Sequence, residues 1–168
     1  MSITMSGASK PALIQMLSAL SAILDKAETY AQTRKIDPLV LFNYRLAPDM
    51  FALSRQVQVA CDFAKGMTSR LAGREVPNWE DDEKTLADLR GRIARTIAHV
   101  KAVKDAEIDG SEGRDINLTV AGQPVNFKGQ AYLVNFALPN FYFHITCAYA
   151  ILRHAGVEIG KRDFRGHI

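Results

Sequence analysis

The fold class this sequence predicts is all-α: a four-helix bundle with one small β-hairpin inserted before the last helix. Three observations predict it. Apolar residues recur at three- and four-residue steps in four long stretches, a period of two appears only once, and breaker residues separate the stretches. At 168 residues, 48% of them apolar, the chain is long enough for a single domain, 1–168, with one substantial core.

The first helix is expected over about 10–33, where Leu13, Met16, Leu17, Leu20, Ile23 and Leu24 form one stripe. Asp37-Pro38 then breaks the chain, because a residue before proline avoids the helical region. The connector PLVLFNYRL (38–46) is too apolar to be fully exposed. A second helix over about 48–71 carries Met50, Leu53, Val57, Ala60, Cys61, Ala64, Met67 and Leu71, and Gly73 and Pro77 end it. The third, over about 82–104, begins near Asp82 or Thr85, with acidic residues where the helix dipole favours them. Its stripe is Leu86, Leu89, Ile93, Ile97, Val100 and Val103, and its arginines read as a solvated face. Ile116, Leu118 and Val120 alternate with polar residues, Ala121 to Pro124 turn the chain, and Val125 and Phe127 follow. That is a hairpin over about 116–127. A helical turn over 129–138 leads to the fourth helix, 139–155, which Pro139 opens and Gly156 stops. The tail follows without periodicity, and Phe164 is expected to dock it onto the bundle.

Several function classes drop out. The formal charge is +3 with a pI near 8.9, and the basic residues are spread over different elements and interleaved with acids. Nucleic-acid binders concentrate such charge on one face, so no nucleic-acid partner is expected. No window approaches the ~18 consecutive apolar residues that would span a bilayer. Cys61 and Cys147 sit inside apolar helical patterns, are not in a CxxC and are expected to be reduced. The N-terminal apolar stretch continues as an amphipathic helix and offers no cleavage site, so a cytoplasmic protein is expected.

The chemistry centres on His144, the one imidazole inside the apolar run of the fourth helix. His154 is ten residues on, about 80° away in direction and roughly 15 Å in height, so one metal ion cannot take both. His99 and His167 read as surface residues. Asn140, Phe141, Cys147 and Ala148 share the His144 face, which is apolar apart from Asn140 and points at the bundle interior. His144 is therefore either a satisfied core histidine or part of a ligand or metal site. Its expected partners lie on the second helix, where Asp49 and Gln56 are seven residues apart on one face.

The blocks LAPDMFALSRQVQVACDFAK, TLADLRGRI and ALPNFYFHITCAYAILRHAGVEIGKRDF resemble an uncharacterised bacterial family within the DinB/YfiT-like superfamily of metalloenzymes. The resemblance implies a bundle with a crossover between the second and third helices, commonly a homodimer. It also implies a divalent metal, zinc or nickel, held by one His on the second helix and an HxxxH pair on the fourth. Some members act on small thiols. In that register His144 matches the second His of the pair, Asn140 stands where the first would be, and Gln56 stands where the second-helix His would be. Asn and Gln are poor ligands for zinc or nickel. The expected function is a small-ligand-binding bundle whose site comprises His144, Asn140, Gln56 and Asp49, with the metal site degenerate. The alternative is a divalent-metal or thiol-dependent transferase or isomerase with His144 as remaining ligand or general base. A third reading makes the hairpin and apolar connector an interface.

Overall fold

The computed structural model describes residues 3–166. Helix α1 (Met5–Arg34) starts upstream of the predicted residue 10 because Thr4 caps it, its hydroxyl accepting from the Gly7 amide. Pro11 is absorbed inside the helix, at the loss of one backbone hydrogen bond. The connector forms a short α2 (Pro38–Phe42) that buries Leu41 and Phe42 and leaves Leu39 and Val40 exposed.

Helix α3 (Leu53–Leu71) begins after the predicted residue 48. Ala47 to Met50 form a tight turn closed by the Met50 amide on the Ala47 carbonyl at 3.0 Å. Pro48 takes the second position of that turn, which suits its fixed φ as well as a first helical turn does. Helix α4 (Leu86–Ala102) also starts later than residue 82, at a capping box in which Thr85 and Asp88 satisfy each other's backbone amides. The acidic residues just upstream serve arginines instead of the helix dipole. Asp81 pairs with Arg55 and Arg92, and Glu83 pairs with Arg92. Arg92, read from the sequence as solvated, is only 4% exposed and also binds Asp62.

Cross-helix partners fix the topology. Asp62 meets Arg92 and Ser69 meets His99, so partners advance together and α3 runs parallel to α4. Lys10 meets Asp105 while Asp25 meets Arg90, so α1 and α4 are antiparallel. The chain from α3 to α4 must therefore run back along the bundle, and residues 72–85 do so as an irregular crossover. Trp79 fastens this strap to the bundle, with Lys65 Nζ 4.6 Å and Arg95 Cζ 4.1 Å from its ring centroid.

After α5 (Asp105–Ile108) come β1 (Asp115–Val120) and β2 (Gln123–Lys128), antiparallel, with Asp115 opposite Lys128 and Val120 opposite Gln123. Ala121 and Gly122 both have positive φ, 48° and 79°, the signature of a type I′ turn. Phe127 holds the ribbon to the bundle through Phe136, at a centroid distance of 5.2 Å. The chain then enters α6 (Gly129–Ala131), a π-helical segment Tyr132–Ala137 and α7 (Leu138–His154) without leaving the helical region. In the π-helical segment the Leu138 amide reaches back to the Leu133 carbonyl. Pro139 has no N–H and its ring crowds the carbonyl four residues earlier; the wider turn accommodates both problems. Partners Gln56–His144 and Arg70–Tyr132 run in opposite senses, so α7 is antiparallel to α3. Gly156, at φ 96°, ends α7. The last helix, α8 (Lys161–Arg165), is docked as expected by Phe164, edge-on to Tyr149 at 5.4 Å.

Candidate functional site

Gln56 sits in the first turn of α3 and is 1% exposed, so both ends of its amide need partners. Its Nε2 donates to the Phe51 carbonyl at 3.2 Å. A carbonyl can only accept, which fixes the amide and turns Oε1 toward α7. There Oε1 lies 2.7 Å from His144 Nδ1. The oxygen can only accept too, so Nδ1 carries the proton and Nε2 carries the lone pair. Nε2 has no hydrogen-bond partner among the described residues, and it is not among their buried unpartnered atoms. It therefore keeps contact with solvent.

Aromatic rings surround this imidazole. Phe51 and Phe63 lie nearly parallel to it, each at 20°, with centroids 6.4 and 5.8 Å away. Phe143 stands edge-on at 5.2 Å and 85°. Burial holds the His144 pKa below its ordinary value, and the Arg55 guanidinium adds to the effect. The ring is thus a neutral acceptor at neutral pH. Arg55 packs against Phe51, its Cζ 5.8 Å from the ring centroid, and its Nη1 binds Gln58 and Asp81.

Of the four residues predicted for the site, the structure joins two. Gln56 and His144 are in direct contact. Asn140 is one turn before His144, but its amide nitrogen donates to the Phe136 carbonyl at 2.7 Å. Asp49 does not share a helix face with Gln56. It is exposed in the turn before α3, with no hydrogen bond or ion pair among the described residues. The neighbours of His144 are mainly aromatic, with Gln56 the polar one. Phe63 was legible in principle, seven residues after Gln56 on the same helix; no spacing connects Phe51 or Arg55 to His144.

The other histidines stand apart. His154 is exposed beside Tyr44. His99 is half-buried, contrary to its surface reading, with Nε2 2.9 Å from the buried Ser69 hydroxyl and its ring edge-on to Trp79. His167 lies outside the described residues. Among the described residues no three His, Cys, Asp or Glu side chains cluster as a metal site would need. At the three positions where the resemblance implies metal ligands, His144 Nδ1 is bound to Gln56 and both ends of the Gln56 amide are engaged, which leaves one imidazole nitrogen and the Asn140 amide oxygen. That donor set does not fit zinc or nickel. A cleft of about 1090 Å³ lies elsewhere, between α1 and α8, and shares no lining residue with the His144 surround.

Residues 5–165 match the family model described as "Domain of unknown function (DUF1993)". A crystal structure of a DinB family member protein from Shewanella denitrificans is similar at 41% identity and a TM-score of 0.87. The match covers 97% of this chain and 92% of that one. No curated protein matches the chain.

Proposed function

The chain belongs to the DUF1993 family of DinB-like helical proteins, and from its His144 site we propose that it binds a small molecule without a resident metal. The observation that carries this reading is the Gln56–His144 hydrogen bond. It dedicates one imidazole nitrogen to the protein and leaves the other as a single acceptor in an aromatic surround. Such a site suits a ligand with one O–H, N–H or S–H donor and an apolar body. The amides at positions 56 and 140 support the absence of a metal, since the Gln56 oxygen is committed to His144 and the remaining Asn140 oxygen is a poor donor for zinc or nickel.

The test is metal analysis of untagged protein together with a thermal-shift screen of small hydrogen-bond donors, thiols included. The expected result is substoichiometric zinc and nickel, with ligand stabilisation that disappears in His144→Ala. Stoichiometric metal that is lost in His144→Ala would sink the reading. The neutral imidazole with an open lone pair also favours a second reading, a thiol-dependent transferase in which Nε2 takes the S–H proton. Consumption of a thiol in the presence of an electrophile, abolished in His144→Ala, distinguishes that reading from binding alone. The proposal includes a homodimer, because Leu39 and Val40 of α2 each keep about half of their surface in water. A monomer by light scattering at high concentration would contradict it.

A further inference from the structure

Phe51 is the platform on which the ligand class can be read. Its half-exposed ring neighbours the His144 imidazole, 6.4 Å away, and the Arg55 guanidinium, 5.8 Å away. Phe143, also about half-exposed, stands edge-on to His144 while Phe51 lies nearly parallel to it. Both half-exposed rings thus flank the imidazole, one nearly parallel to it and one edge-on. Their exposed surface suits a flat aromatic ring, which can stack on one or meet it edge to face, both favoured aromatic geometries.

The polar groups beside Phe51 are of two kinds. His144 Nε2 only accepts. Arg55 commits Nη1 to Gln58 and Asp81, while its Nε and Nη2 have no protein partner among the described residues. Its side chain and that of Asp81 are 41% and 37% exposed, so their ion pair is weak and exchangeable. A guanidinium with free donors suits a carboxylate, to which it can present two parallel N–H groups. It also repels a cationic ligand. A neutral apolar ligand would leave the charge unused.

Resting on the proposed reading of His144 as an acceptor site, we infer that the ligand is a planar aromatic carboxylate that also carries an O–H or N–H donor. Its ring stacks against Phe51 and Phe143, its donor meets His144 Nε2, and its carboxylate meets Arg55.

The test uses 4-hydroxybenzoate, 4-hydroxybenzamide and benzoate as probes, with binding followed by calorimetry and by the His144 ring proton resonances of the full chain. The carboxylate with its hydroxyl binds tightest. Replacing carboxylate by amide, or Arg55 by Gln, weakens binding by about tenfold, the scale of one charge-assisted hydrogen bond. Asp81→Asn releases Arg55 from its competing anion and strengthens carboxylate binding. A purely structural role for Arg55 gives no such gain. Equal binding of 4-hydroxybenzoate and 4-hydroxybenzamide, both shifting the His144 resonances, overturns the carboxylate inference while the acceptor site stands. Binding of 4-hydroxybenzoate that is unchanged in His144→Ala overturns this inference and the acceptor-site reading together.

Discussion

The Gln56 amide has two ends, and the consequences of its two hydrogen bonds run through the site. In Gln56→Leu the His144 Nδ1–H faces an apolar side chain in a buried setting. A loss of about 1–3 kcal/mol of stability is expected, measured by urea denaturation. In Gln56→Glu a carboxylate faces the same N–H and favours the imidazolium, so the His144 pKa should rise, as followed by its ring resonances. A fall would mean that Oε1 does not accept from Nδ1. His144 and His99 are both held below the ordinary value of 6.5, each first by burial, then by Arg55 for His144 and by Arg74 and Lys65 for His99. The unfolded chain therefore binds protons before the folded one as pH falls through 6.5. Stability should be flat above that pH and decline below it, down to the folded-state values. The decline should be shallower in His144→Phe. A midpoint that rises on acidification from neutrality would contradict both shifts.

At the scale of the elements, the crossover of residues 72–85 depends on one arginine. Arg92 is buried and serves Asp62, Asp81 and Glu83 together, and Glu83 is itself only 10% exposed. Arg92→Ala leaves that largely buried carboxylate with only the Gln58 amide and should destabilise the fold by about 3–5 kcal/mol, whereas breaking the exposed Lys128–Asp115 pair should leave the urea midpoint nearly unchanged. Thr85→Ala removes half of the α4 capping box and should cost about 1 kcal/mol by the same measurement. These elements also show what could be read from the sequence. The stripes from Leu13 to Leu24 and from Leu86 to Val100 are legible because burial on one side of a helix imposes its period directly. The starts of α3 and α4 are not. Pro48 suits a β-turn and a helix start equally, and Asp81 and Glu83 suit a helix dipole and an arginine equally. Distant partners decide between such alternatives. The site divides in the same way. His144 and Gln56 stand out as polar residues on apolar faces, while Phe51 and Arg55 enter through a loop and a helix end that carry no period.

On the scale of the whole molecule, the two thiols report how tightly the bundle closes. Cys61 is fully buried between α3 and α4, and burial pushes its pKa up to about 12. Cys147 is 7% exposed and is shifted in the same direction, also by burial. Native protein should react slowly with a thiol reagent at both positions, and in urea both should react at once. Cys61 modification faster than global unfolding would show that α3 and α4 separate locally. The bundle was predictable as a whole because four stripes have few ways to meet, and the parallel course of α3 and α4 agrees with the crossover that the family resemblance implies. The π-helical segment Tyr132–Ala137 sets a relation between two distant anchor points on that bundle. Upstream, Tyr132 is held by Arg70; downstream, His144 is held by Gln56. Removing the exposed Asn135 would leave composition, charge and core nearly unchanged, yet would rotate one anchor against the other by about 100°. The segment is an angular spacer: its residue count, more than its residue types, keeps both ends of the helix in phase with α3.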